Sequence, residues 1–136
     1  MLSAAQIRSR VPHAGSMSLL DAVTCWDETS IACEATAPTA DHPLARGPGV
    51  PAVAAIEYAA QATAIHGSLL DERAAPRNGM LAKLSEVELA PGYLRGPLRI
   101  HAELMSRSDS GCLYSFTVRD AERCCARGRL LVAFAA

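Results

Sequence analysis

The stretch from Pro51 to Leu70 constrains the fold of this chain more than any other segment. It reads PAVAAIEYAAQATAIHGSLL, holds no helix breaker before Gly67 and is apolar on nearly every side. Such a pattern is typical of a helix that is enclosed by other structure, and Pro51 stands where a helix favours its first residue. The sequence therefore predicts a long, buried helix at the centre of the fold.

Strand-like segments precede and follow this helix in the sequence. One helix and about six strands bury the most apolar surface if a curved antiparallel sheet wraps around the helix. We therefore predict an α+β protein with the hotdog fold, formed by a single domain over residues 1–136. The predicted elements are an opening helix from Ser3 to about Arg10, stopped by Pro12, and strands at residues 19–26, 31–36, 80–89, 98–105, 113–118 and 126–134.

The charge and hydropathy patterns exclude several classes of function. Thirteen basic and fourteen acidic residues give a net charge of −1, without a run of like charges that would bind nucleic acid. No segment has about 18 uninterrupted apolar residues, and the first residues do not resemble a secretory leader. We expect a cytoplasmic protein that binds neither nucleic acid nor membrane.

The five cysteines do not have the spacing of a metal site. No Cys-x-x-Cys pair occurs, and the adjacent Cys124 and Cys125 cannot easily share one tetrahedral ion. We predict reduced, structural thiols, because a free cysteine behaves as a small buried hydrophobe. No glycine-rich phosphate loop occurs in the required strand context either, so neither a metal nor a cofactor is expected.

Glu57 is the most informative residue, because it is a charge inside an apolar helix. A carboxylate removed from water needs a partner or loses its charge. At about 100° per residue, Glu57 shares one stripe with Gln61, Ala64 and Ser68, whereas His66 faces the opposite side and is expected to pack or to hydrogen-bond. Glu57 either pairs with an arginine across a subunit interface or is a catalytic acid or base.

The loop before the helix holds further candidates. His42 lies in the proline- and glycine-rich segment 38–49, and loops over a rigid scaffold often carry reactive groups. An exposed loop histidine without any role is also common. Gly47 and Gly49 either let backbone N–H groups and the helix N-terminus approach a thioester carbonyl, or they only permit the turn.

Four short motifs resemble bacterial 3-hydroxyacyl-acyl-carrier-protein dehydratases. Residues 11–13 (Val-Pro-His) and 17–21 (Met-Ser-Leu-Leu-Asp) resemble the family's Pro-His and Leu-Leu-x-Asp opening. Residues 50–52 (Val-Pro-Ala) and 56–61 (Ile-Glu-Tyr-Ala-Ala-Gln) resemble its Met-Pro-Gly and Glu-Ala-x-Ala-Gln helix. The likeness spans nearly the whole chain and is greatest to the small dehydratase-like proteins found with aryl-polyene pigment synthesis.

The resemblance implies a hotdog dimer with a substrate tunnel at its interface. A histidine of one protomer removes the proton beside the thioester carbonyl, and a carboxylate of the other protonates the departing 3-hydroxyl. In this sequence the carboxylate is Glu57 and the histidine is His42, with His13 as the alternative base. The residues expected around the substrate are Gly47, Gly49, Val50 and Gln61.

The loop around His42 departs from the family pattern, which leaves other functions open. The family's Gly-His-Phe-Pro-Gly appears here as Asp-His-Pro-Leu-Ala at residues 41–45, and the interval from His42 to Glu57 is one residue longer. A hotdog thioesterase, or a non-catalytic acyl-binding subunit of an active partner, are therefore alternatives to a dehydratase. The expected ligands are an acyl-carrier protein or an acyl-CoA thioester, bound by a homodimer or a hotdog heterodimer.

Overall fold

The computed structural model describes residues 1–8, 18–71 and 79–134. The predicted long helix and all six predicted strands are present. Strand β1 begins at Ala22 rather than near Leu19, and the predicted end of the opening helix lies outside the described residues. The elements are α1 (Ala4–Arg8), β1 (Ala22–Trp26), β2 (Ser30–Ala35), a 3-10 turn (Ala52–Ala54), α2 (Ala55–Leu70), β3 (Gly79–Leu89), β4 (Leu98–Ser108), β5 (Gly111–Arg119) and β6 (Cys124–Phe134).

The six strands form one antiparallel sheet in the order β1-β2-β4-β5-β6-β3. Helix α2 packs against the inner face of this sheet, chiefly on β2, β4, β5 and β6. Buried and exposed residues alternate along the central strand β4, as its sequence predicts: Leu98, Ile100 and Ala102 are buried, whereas Arg99, His101 and Glu103 are exposed. A sheet wrapped around one helix is the arrangement that the sequence predicts.

The ends of the helices follow from local chemistry. At α1 the Ser3 hydroxyl accepts the Gln6 N–H at 3.4 Å, and the Gln6 side chain accepts the Ser3 N–H at 2.9 Å, which is a capping box. At the start of α2, Pro51 precedes a 3-10 turn and keeps an extended conformation. No helix among the described residues is long and apolar enough to span a membrane.

The two edges of the sheet differ. Leu2 pairs with Val23 through two backbone hydrogen bonds of 3.0 Å, so part of the short β1 edge is covered. Strand β3 lies at the other edge and is exposed along most of its length. It carries a bulge between Ser85 and Glu88, where Glu86 has a left-handed φ of 52°. Gly128 permits this bulge, because a Cβ there would lie 3.0 Å from Val87.

Candidate active site

Glu57 lies in the first turn of α2 and is partly exposed. Its Oε1 accepts a hydrogen bond of 3.2 Å from the Gln61 side-chain amide, one helical turn later. Gln61 is only 1% exposed, and its own Oε1 accepts the Leu19 backbone N–H at 3.0 Å. The Leu19 amide thus fixes the orientation of the Gln61 amide, and Gln61 in turn orients the carboxylate of Glu57.

A cavity of about 350 Å³ lies beside Glu57, between α2 and strands β3, β5 and β6. The stripe of α2 that the sequence predicts, with Glu57, Ala64 and Ser68, forms one of its walls. From Glu57 to Asp71 this wall follows α2 for about 21 Å, at 1.5 Å per residue. The other lining residues are Ala60, Thr63, Gly67, Gly79, Met80, Leu81, Cys112, Tyr114, Val132 and Phe134.

The two ends of this cavity differ in polarity. Glu57 marks one end, while Asp71 at the other end forms an ion pair with Arg107. Most of the wall between them is apolar or carries small side chains. The cavity is thus an elongated, mostly apolar space with the Glu57 carboxyl group at one end.

Glu57 also borders a second groove, which the loop before α2 helps to form. The groove is lined by Leu44, Arg46, Pro51, Val53, Ala54 and Ile56 in addition to Glu57. Glu57 is thus shared by the lining of this groove and the lining of the apolar cavity.

His42 contacts the residue after Glu57 rather than Glu57 itself. Its Nε2 lies 2.8 Å from the Tyr58 hydroxyl, the two rings are stacked with centroids 5.9 Å apart, and its Nδ1 accepts the Leu44 backbone N–H at 3.0 Å. Burial lowers the pKa of His42 below the ordinary histidine value. Within one protomer the structure therefore places the predicted histidine beside a tyrosine.

The contact between Tyr58 and His42 is one that the sequence did not predict. Tyr58 is 2% exposed, and burial together with the negative charge of Asp21 raises its pKa to about 12. In the sequence Tyr58 looked like one more large side chain of a buried helix. Only its place directly after Glu57 could have drawn attention to it.

The glycine-rich turn makes internal contacts. Gly47 has a left-handed φ of 59°, which the turn requires, and Gly49 donates its N–H to the Arg46 carbonyl at 3.4 Å. Val50 is 2% exposed, and its carbonyl accepts the Leu94 N–H. Of the four residues predicted to surround a substrate, Gln61 alone contacts Glu57, while Val50 belongs to the core.

The remaining sequence candidates fall elsewhere. His66 is fully buried on the side of α2 away from Glu57, where it hydrogen-bonds Tyr114 and the Asp27 carbonyl. This agrees with the packing or hydrogen-bonding role predicted for it. His13 lies outside the described residues. All five cysteines are free thiols, and residues 1–8, 18–71 and 79–134 contain no cluster of metal-binding side chains.

The sequence profile of one protein family matches residues 5–135, which is nearly the whole chain. That family is ApeP-like, described as ApeP dehydratase. The chain belongs to the ApeP-like dehydratase family. The match supports a hydro-lyase, a dehydratase-like protein, as the resemblance implied. The sequence matches no curated protein.

Solved structures that are similar to this ApeP-like chain show which fold it has. The dehydratase heterocomplex ApeI:P from Xenorhabdus doucetiae matches with a TM-score of 0.84 and 21% identity, over 100% of this chain and 93% of the other. A mutant thioesterase from Staphylococcus aureus matches with a TM-score of 0.65 and 13% identity, over 85% and 93%. A hypothetical thioesterase with coenzyme A from Streptococcus pneumoniae matches with a TM-score of 0.64 and 12% identity, over 85% of each chain. The predicted hotdog fold is confirmed.

Proposed function

We propose that this chain forms a single hotdog domain and takes part in the dehydration of a 3-hydroxyacyl thioester. The observation that carries the proposal is the position of Glu57, an oriented carboxyl group at the end of an apolar cavity. An acyl chain in the cavity would place its reacting carbons next to this group. General acid–base chemistry of this kind contributes about 10²- to 10⁴-fold to the rate.

The reaction requires two proton transfers. A base takes the proton from the carbon beside the thioester carbonyl, and the electron pair of that C–H bond forms the new double bond. The C–O bond at the third carbon breaks, and the hydroxyl leaves as water after it takes a proton from Glu57. His42 and His13 are the candidates for the base within this chain.

A second hotdog subunit completes the site in this proposal. The β3 edge leaves an unpaired row of backbone groups and exposes Met80, Leu81, Leu84 and Leu89. These residues lie beside the cavity or along the same strand, so a partner on this edge would extend the sheet and close the cavity. The related ApeI:P assembly is a heterocomplex, which favours a hotdog heterodimer over a homodimer.

An acyl-carrier protein is the proposed donor of the substrate. Arg46 is exposed on the loop that borders the groove beside Glu57, and Arg95 is exposed on the segment before β4. An exposed arginine beside this groove would attract an acidic carrier and steer its approach. Acyl-CoA is the alternative carrier. The sequence also offers Arg73 and Arg77 as contacts for an acidic carrier, and both lie outside the described residues.

The first experiment follows a crotonyl thioester of pantetheine with the purified protein, alone and in complex with its hotdog partner. Loss of the enoyl absorbance without release of free thiol is the expected result, because hydration is the reverse of dehydration. Glu57→Gln should lower the rate by about 10²-fold or more. Glu103→Gln, on the exposed face of β4, is the matched control and should keep it.

The other outcomes decide between the alternatives. Release of free thiol that depends on Glu57 would make the chain a thioesterase and contradict the proposal. Absence of both signals, together with a higher melting temperature when acyl-pantetheine is added, would identify an acyl-binding subunit without activity.

A further inference from the structure

Gly67 lies inside helix α2, at a position where the fold does not require a glycine. Its φ is not in the left-handed region, unlike that of Gly47. A Cβ at Gly67 would meet no heavy atom within 4 Å among the described residues outside its own stretch of helix, whereas a Cβ at Gly79 would lie 2.9 Å from Val132. Alanine would fit at this position and is the better helix former, so the fold alone does not explain the glycine.

The space beside Gly67 belongs to the apolar cavity that Glu57 borders. Ala64 lines this cavity about one helical turn before Gly67, and Asp71 lines it one turn after. Because a Cβ at Gly67 would have open space around it, a larger side chain there would extend into the cavity and narrow it. The glycine thus keeps the part of the cavity that is distant from Glu57 wide.

The position of Gly67 along α2 corresponds to a definite length of acyl chain. A rise of about 1.5 Å per residue places Ala64 about 10 Å and Gly67 about 15 Å from Glu57 along the helix. An extended chain of carbon–carbon bonds of about 1.52 Å, with angles of about 111°, advances about 1.25 Å per bond. An acyl chain whose third carbon lies at Glu57 would therefore pass Ala64 after about eight bonds and Gly67 after about twelve.

We propose that Gly67 is a specificity-determining residue, because the width that it leaves in the cavity admits acyl chains of about 14 carbons or more. This inference rests on the proposed function, since the reacting carbons of the thioester have to lie at Glu57. A bulky side chain at position 67 would stop a long chain before it reaches the far end of the cavity. Each methylene group that is kept out of the cavity weakens binding by about fourfold, so three or four of them account for about 10²-fold.

The Gly67→Ala variant separates the needs of the fold from those of the cavity. Its Cβ fits without a clash and lowers the entropy of the unfolded chain, so the melting temperature should rise by about 3 °C. Activity on every chain length should stay within about threefold of the wild type, because one methyl group removes little of the width. A lower melting temperature would show that the fold itself requires the glycine, and the inference would fail.

Hydration of 2-enoyl thioesters of increasing length tests the depth of the cavity. The substrates are 2-enoyl-pantetheines with four, eight, twelve and sixteen carbons, and the protein is the complex of this chain with its hotdog partner. Gly67→Leu should keep the rates with the three shorter chains within about threefold and lose about 10²-fold with sixteen carbons. Ala64→Leu, about one turn nearer to Glu57, should already lose activity with twelve carbons and keep it with eight. A general structural defect would lower all four rates together.

Three results would overturn the inference: equal losses with all four chain lengths in Gly67→Leu, an unchanged rate with sixteen carbons in that variant, or a wild-type complex that converts only the shorter chains. If the wild-type complex converts none of the thioesters, the proposed function fails. Binding then decides on Gly67 alone, through the melting temperature of the complex with saturated acyl-pantetheines of the same lengths. The sixteen-carbon ligand should raise this temperature in the wild type and not in Gly67→Leu, and equal rises in both would contradict the role of Gly67.

Discussion

Two histidine–tyrosine pairs lie along α2, with equal lengths of 2.8 Å and opposite polarity. His66 Nε2 lies 2.8 Å from the Asp27 carbonyl oxygen, which can only accept, so Nδ1 of His66 receives the proton of Tyr114. His42 instead donates to Tyr58, because a backbone amide occupies its Nδ1. The same two residue types thus form one pair that uses the tyrosine proton and one that leaves it available.

The surroundings of the two pairs explain the difference. His66 and Tyr114 are almost fully buried, and their rings meet edge to face at an interplanar angle of 82°. Their hydrogen bond joins α2 to the sheet, and both ring nitrogens of His66 have hydrogen-bond partners inside the protein. The His42 ring is half-buried on a loop and stacks on Tyr58 at 27°. We infer that the first pair stabilises the fold and that the second holds the loop before α2 against the helix.

The largest predicted effect is on the buried pair. His66→Ala should lower the free energy of unfolding by about 3 kcal/mol, because it opens a cavity and leaves the Tyr114 hydroxyl and the Asp27 carbonyl without partners. Thermal denaturation should show a melting temperature lower by roughly 10 °C. His42→Ala is the matched variant at the loop and should lose less than half as much. Equal losses at both sites would contradict the distinction.

A single hydroxyl can be removed from the buried pair without opening a large cavity. Tyr114→Phe should cost about 1.5 kcal/mol, because the buried lone pair on His66 Nδ1 loses its only donor among the described residues. Denaturant titration gives this value from the shift in midpoint. Tyr93→Phe, which removes a hydroxyl from a half-exposed ring, is the control and should change stability by less than about 0.5 kcal/mol.

The pH dependence of stability should reflect the protonation of both histidine rings. Burial lowers the pKa of His66 below its ordinary value of 6.5, and does the same for His42. The unfolded chain therefore binds more protons below about pH 6.5, so stability should fall as the pH drops below that value. His66 should contribute a slope of at most about 1.4 kcal/mol per pH unit. Unfolding midpoints of His66→Gln should show a flatter slope between pH 6.5 and 5; an unchanged slope would contradict it.

The smallest predicted effect is Tyr58→Phe. It removes the acceptor of the His42 N–H, but water can reach the half-buried ring, so we expect a cost of about 0.5 kcal/mol. A loss as large as that of Tyr114→Phe, measured in the same titration, would show that both pairs are structural. A small cost would show that the loop pair contributes less to stability than the buried pair.

The fold could be predicted because its signals are local. The unbroken apolar run predicted α2, and the alternation from Leu98 to Met105 predicted the central strand β4. The stripe through Glu57 and Ala64 followed from helical geometry and does line a cavity. Each of these features depends on spacing along one element, which a sequence displays directly.

The contacts of the site were not predictable for the opposite reason. Gln61 reaches the Leu19 amide across 42 residues, and this contact depends on how two distant segments pack. The direction of the His42 ring depends on the path of a loop with three prolines, which fixes where the Leu44 amide points. Tyr58 gave no signal of its own, because a buried tyrosine is an ordinary core residue of a helix.

The unequal edges of the sheet have a consequence for assembly. An open strand can template the addition of another chain, and a sheet open at both edges can grow into a fibre. Here the β1 edge is short and partly covered by Leu2, while the eleven-residue β3 edge is exposed. Such a sheet offers one long edge for the addition of a strand, as a monomer with a single reactive group offers one site for bond formation. If a partner pairs at β3, only the short, partly covered β1 edges remain at the ends of the combined sheet, and growth would stop at a pair.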